Sequence, residues 1–123
     1  MNYQQHLAMA MVHLGDNDEA AMQASLAAAL AEASRIDPEG PRVAECYNYI
    51  AQVHTQAGRD AEARDALEKV VRIYERFPEF AEGLADYYLQ LMGLCVALGD
   101  AVGAEAWRRK AKNTSPAQDK PWR

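Results

Sequence analysis

The sequence YNYIAQVHTQAGRDAEA, residues 47–63, gives the clearest indication of the fold. Its apolar side chains recur every three to four residues up to Gly58, which is typical of a helix that buries one face and ends at a glycine. Asp60 opens a second helical pattern, and Ala63 lies five residues beyond Gly58. The stretch therefore predicts two helices joined by a tight turn.

The same spacing from glycine to alanine occurs twice more. Gly15 is followed by Ala20, and Gly99 by Ala104, so that the pair recurs at nearly equal intervals along the chain. Helix–turn–helix units bury their apolar faces by stacking on one another, which predicts a solenoid. In the first repeat we expect Gly15 to supply the left-handed residue that ends the helix and Ala20 to lie at a close helix contact.

We predict one all-α domain with six antiparallel helices over residues 1–113. Its three repeats are expected over residues 1–36, 42–77 and 79–113, and a disordered tail over residues 114–123, which contain two prolines and no periodicity. Trp107 is expected to be the buried anchor of the last helix. Cys46 and Cys95 lie in apolar helical patterns and are expected to be small core residues.

Composition narrows the function. The chain of 123 residues has a net charge of −5, with seven basic and sixteen acidic side chains in residues 1–100 and six basic and two acidic in residues 101–123. An acidic body argues against nucleic acid as a partner. The basic end is either a solvated helix cap or an interface. No apolar run reaches the roughly 20 residues of a membrane span, and the N-terminus lacks a secretory signal, so we expect a cytoplasmic protein without a membrane partner.

The chain resembles the tetratricopeptide repeat (TPR) family. The family pattern of large, leucine-like and small positions is matched best in the middle repeat, by Tyr47, Ile50, Ala51, Gly58, Ala63, Leu67 and Val70. The long linker over residues 37–44 and the single Asn48 are similar to the long-repeat variant found in kinesin light chains. The resemblance implies a right-handed α-solenoid whose first helices line a concave groove that binds a peptide or protein segment.

Carried over residue by residue, the resemblance gives a set of groove residues. These are Gln5, His6, Met9, His13, Glu45, Asn48, Tyr49, Gln52, Gln56, Asp86, Leu89 and Gln90, with Asn2, Val12, Thr55, Gly93, Val96 and Ala97 beside them. Amides among them can pair with a ligand backbone, and Tyr49, Met9 and Leu89 can give apolar contact.

One known use of such repeats, the binding of chaperone C-terminal tails, is not expected. Relatives that bind these tails resemble one another in a clamp of basic and amide side chains. The positions that match it here are Gln5, Met9, Tyr49, Asp86 and Gln90. No cation remains among them to pair with a carboxylate, and Asp86 would repel one.

Catalysis is not expected either, and neither is a cofactor or a metal. His6 and His13 are two helical turns apart, about 10 Å along the axis, which is too far to share one zinc ion. No spacing indicates a nucleophile beside a base. Two functions remain: an adaptor or scaffold that binds a protein segment in its groove, and a homo-oligomeric module that pairs through the ends of its solenoid.

Overall fold

The computed structural model describes residues 1–114 and contains six α-helices in this part of the chain. The helices are α1 (Tyr3–Gly15), α2 (Glu19–Ile36), α3 (Pro41–Gln56), α4 (Asp60–Tyr74), α5 (Leu84–Ala97) and α6 (Ala101–Thr114), with a 3₁₀ helix at Pro78–Gly83 before α5. Each helix packs against the next one along the chain. The expected all-α repeat solenoid is confirmed. Of the predicted tail, Thr114 ends α6 and residues 115–123 lie outside the described residues.

The three repeats share one turn geometry. The left-handed residue of each turn is Asn17 (φ 58°), Gly58 (φ 77°) or Gly99 (φ 75°). In each turn, the N–H of this residue donates to the carbonyl three residues earlier, and the next N–H donates to the carbonyl five residues earlier. The interval from Asn17 to Gly58 equals that from Gly58 to Gly99, and we call this alignment of the three repeats the turn register.

The turn register corrects the expectation for the first repeat. Gly15 is still helical, as the last residue of α1, and Ala20 is exposed. The position equivalent to the buried Ala63 and Ala104 is taken by Met22, which is only 2% exposed. Asparagine tolerates the left-handed conformation better than most residues, so Asn17 can end the helix where the later repeats use glycine.

The core consists of two neighbouring clusters. One joins α1, α2 and α3 and contains both Met22 and Cys46, and the other joins α3 to α6 and contains Leu67. The half-buried rings of Tyr47 and Tyr74 contact both clusters. The core is therefore continuous along the stack, and the expected burial of Cys46 and of Cys95 in the third repeat is confirmed.

Local signals explain where the helices begin and end. Gly40 and Pro41 start α3 with an extended cap and a proline in the first turn. The helical spacing of Phe80, Leu84 and Tyr88 predicts one continuous helix, but Phe80 lies in the 3₁₀ helix. There its ring stacks on Tyr74 with 4.2 Å between the ring centroids. Gly83 separates this segment from α5, consistent with the low helix propensity of glycine.

The C-terminal end of the solenoid differs from the internal repeats by two charges. Arg108 and Lys112 occupy the positions at which α4 buries Leu67 and Val71, and both are exposed. Next to them, the ring of Trp107 stacks on a tyrosine of α5, as expected of an anchor, but it is half-buried rather than fully buried.

Within the described residues, no other repeat packs on the N-terminal side of the first repeat. Met9 and Val12 are 39% and 54% exposed there. Their equivalents in α3 are Ile50 and Val53, which pack in the core. The first repeat therefore leaves apolar side chains uncovered where an internal repeat would bury them.

Candidate peptide-binding groove

A polar cavity of about 180 Å³ lies between the second and third repeats. It is lined by Asn48, Ala51, Gln52, Thr55, Gln56 and Gln90. Four of these, Asn48, Gln52, Gln56 and Gln90, belong to the set expected to line the groove. The structure thus brings together the central amides of the predicted site.

The cavity is polar because α3 has two different faces. Asn48, Gln52, Thr55 and Gln56 follow one helical stripe, while Cys46 and Val53 lie on the stripe that enters the core. The Thr55 hydroxyl donates to the carbonyl of Ala51 at 2.9 Å.

The amides themselves remain available. Within the described residues, the side chains of Asn48, Gln52, Gln56 and Gln90 make no hydrogen bond. Each amide offers two donors and one acceptor, the groups that pair with a peptide backbone. The cavity therefore presents several unused hydrogen-bonding groups on one surface.

The remaining expected residues of the second and third repeats do not line this cavity. Glu45 accepts a hydrogen bond from the Tyr3 hydroxyl at 2.8 Å, which ties α3 to α1. Burial, followed by this bond to Glu45, raises the pKa of Tyr3. Tyr49 is half-buried against the first core cluster. Asp86 and Leu89 are exposed at the start of α5.

The structure does not bring the four expected residues of the first repeat to this cavity. In the turn register, each of the four is equivalent to a residue on a packed face of α3. The pairs are Gln5 and Cys46, His6 and Tyr47, Met9 and Ile50, and His13 and His54. His6 is half-buried on α1, whereas Gln5 and Met9 are exposed. A binding role for these four residues stays a prediction.

A second cavity, which the sequence did not indicate, lies at the seam between the first and second repeats. Its volume is about 270 Å³. The apolar lining residues are Leu14, Met22, Val53 and Ala57, and the polar ones are Asn17, Asp18, Glu19, Gln56 and Arg59. Gln56 also lines the polar cavity, so the two cavities are adjacent.

Arg59 fixes one wall of the seam cavity. Its Nη1 lies 3.2 Å from Oε1 of Glu19 in the first repeat, and its Nε–H donates to Nδ1 of His54 at 2.9 Å. Burial, and then the charge of Arg59, lower the pKa of His54. The neutral imidazole can therefore accept this bond near neutral pH.

Residues 1–114 lack two further features, a metal-binding cluster and a membrane-spanning helix. No group of three or more metal-ligating side chains occurs there. No helix in this part of the chain is long and apolar enough to cross a membrane.

Comparison with known families accounts for this architecture. A family model described as "Tetratricopeptide repeat" matches residues 1–76, more than half of the chain. The chain therefore belongs to the tetratricopeptide repeat family, a class of non-catalytic helical repeats that mediate protein–protein interactions. Comparison with curated proteins gives no match.

Proposed function

We propose that this chain is a scaffold or adaptor that holds an extended peptide or protein segment in the concave groove of its solenoid. The observation that carries the proposal is the cavity around Asn48, Gln52 and Gln90, whose amides have no partner within the described residues. An extended segment presents its backbone N–H and C=O groups regularly, and side-chain amides can satisfy both. The family supports the coarser role, because its members bind protein partners.

The experiment uses peptides of known sequence. The fluorescently labelled chain is applied to an array of nonapeptides, and the peptides that bind are measured again by fluorescence polarisation. The double variant Asn48→Ala, Gln90→Ala removes amides from both sides of the cavity. If each amide contributes a hydrogen bond of about 1 kcal/mol, the affinity should fall by at least about tenfold.

Gln23→Ala is the matched control, because Gln23 is an exposed amide on α2. It should leave both the affinity and the melting temperature unchanged. The proposal fails if no peptide binds, or if the double variant binds as the wild type does while its melting temperature is unaltered.

Self-assembly through the solenoid ends is the second candidate, and the exposed Met9 and Val12 favour it. These side chains lie where a preceding repeat would pack, and a second copy could cover them. The double variant Met9→Lys, Val12→Lys places charges on this face, so any dimer seen by light scattering should dissociate. A wild-type chain that stays monomeric at all accessible concentrations would remove this candidate.

The subfamily of the chain and its cellular location are also matters of proposal. The equal intervals between the three turns, each longer than the repeat of most family members, support a closer likeness to the long-repeat variant found in kinesin light chains. A cytoplasmic location and an adaptor role stay predictions from the sequence.

A further inference from the structure

The seam cavity, at the edge of the proposed groove, has an apolar side and a polar side. Leu14, Met22, Val53 and Ala57 come from three helices or helix ends of two different repeats. Val53 and Met22 are almost completely buried, whereas Ala57 is exposed at the mouth. A volume of about 270 Å³ is smaller than the roughly 300–1,000 Å³ of typical small-molecule pockets, which favours a single side chain as the occupant.

The two cavities form one surface. Gln56 lines both, and it follows Gln52 at a spacing that continues the polar stripe of α3. A peptide that pairs with the amides of the groove can therefore place one of its side chains over the seam.

The charges around this surface are mostly negative. The cavity linings contain Asp18, Glu19 and Arg59, and Arg59 is already paired with Glu19 and hydrogen-bonded to His54. Asp18 caps α2 by accepting from a backbone N–H and has no cationic partner among the described residues. The lining thus carries one carboxylate that no cation neutralises, so the complementary partner is basic.

We propose that the seam cavity is the anchor site for a bulky aliphatic side chain, such as that of leucine, carried by a basic protein segment that lies in the concave groove. This inference rests on the proposed function and gives it a partner class. The apolar side of the cavity selects the side chain, and the Asp18 carboxylate on its polar side favours a positively charged segment.

The first test fills the cavity from its exposed mouth. Ala57→Phe places a ring there without removing any core atom, and Ala106→Phe is the control on an exposed position of α6. The probes are four fluorescein-labelled nonapeptides with a central Leu or Ser, flanked by four Lys or by four Glu. The Leu–Lys peptide should bind best, and Ala57→Phe should weaken its binding by about tenfold or more.

A double-mutant cycle then shows whether protein and peptide changes remove the same contact. Replacing Leu by Ser in the basic peptide should weaken binding to the wild type by a similar factor, but should have little further effect on Ala57→Phe. If the fold-losses of affinity caused by the two changes simply multiply when they are combined, the changes act independently and the anchor proposal is overturned. The peptide substitution alone tests the proposal if Ala57→Phe does not fold, since equal binding of the Leu and Ser peptides to the wild type would overturn it.

A separate variant tests the expected preference of the groove for a basic peptide. Asp18→Asn keeps a good helix cap while removing the carboxylate, and Asp65→Asn is the control on the exposed face of α4. Asp18→Asn should weaken the Leu–Lys peptide severalfold and reduce the salt dependence of its binding. Equal or better binding of the Leu–Glu peptide to the wild type would overturn the basic partner class.

The failure of this inference is distinguishable from that of the groove. If array peptides bind and Asn48→Ala, Gln90→Ala weakens them, but Ala57→Phe does not, the groove stands and the anchor is wrong. If no peptide binds in either experiment, both are wrong.

Discussion

At the scale of single residues, Ala63 shows how tightly the second repeat is packed. It is completely buried between α4 and α3, whereas Ala20 is exposed on α2. Ala63→Leu should overpack this contact and reduce the free energy of unfolding by about 1–3 kcal/mol. Ala20→Leu should change it by less than about 0.5 kcal/mol, as at other surface positions. Urea unfolding measures both, and equal losses would contradict the turn register.

A second residue-scale prediction concerns His54. Its pKa is lowered by burial and then by Arg59, so that, below about pH 6.5, the unfolded chain takes up a proton that the folded chain resists. Stability should therefore fall from pH 7.5 to pH 5.5, and part of this fall should be absent in His54→Gln. The stability difference between the wild type and this variant should shrink as the pH is lowered.

His13 provides the matched control for this experiment. It holds the same position in the first repeat, but Asp18 stands there in place of Arg59. His13→Gln should not reproduce the effect. A difference between wild type and His54→Gln that is the same at both pH values would contradict the lowered pKa of His54.

Asn17 explains why the register of the first repeat could not be predicted. Gly15 is a strong helix-ending signal, and the three polar residues 16–18 are all good turn and cap residues. The backbone and hydrogen-bonding preferences of residues 15–18 therefore do not determine which of them ends the helix. The choice is made by packing, because only the register that ends at Asn17 buries Met22 and aligns all three turns.

At the scale of helices, α3 carries the part of the site that the sequence could predict. Its apolar and amide stripes are both visible in the residue pattern, so the cavity around Asn48, Gln52 and Gln56 follows from helical periodicity. The seam cavity does not follow in the same way. It depends on how α1 and α2 sit against the end of α3, and its largest apolar contributor, Met22, stands where the repeat pattern predicted a small residue.

The last helix also allows a prediction at this scale. Trp107 stacks on Tyr88 with 5.7 Å between ring centroids, and Lys110 lies over the Trp107 ring while binding Glu75 at 2.8 Å. Full burial of a tryptophan would make its loss cost about 3–5 kcal/mol, so the half-buried ring should cost about 2 kcal/mol in Trp107→Ala. Trp107→Phe should lose less, because a ring remains. Urea unfolding followed by circular dichroism measures both. A loss in Trp107→Ala no larger than that of an ordinary surface substitution, about 0.5 kcal/mol, would show that the ring does not hold α6.

At the scale of the whole molecule, the two ends of the solenoid are unequal. The N-terminal end exposes Met9 and Val12, while the C-terminal end presents Arg108 and Lys112. One of the four positive charges of α6 is compensated within the helix, because Glu105 binds Arg108 at 2.6 Å and Arg109 at 3.2 Å. These bonds, with that of Arg108 first, lower the pKa of Glu105 to about 2. Of the two interpretations of the basic end, a solvated cap or an interface, these bonds favour the cap, and we expect the charges to keep this face solvated.

Replacing two exposed cations of α6 by the apolar residues of the internal repeat tests this expectation. The double variant Arg108→Leu, Lys112→Val places on α6 the residues that α4 uses, at Leu67 and Val71, to pack against the next repeat. An apolar face that no helix of the described residues covers should associate, so the apparent mass by light scattering should rise over about a hundredfold increase in concentration. Arg108→Lys, Lys112→Arg keeps both charges and should behave as the wild type does. If the apolar variant folds and has the mass of the wild type throughout this range, the two cations do not terminate the stack.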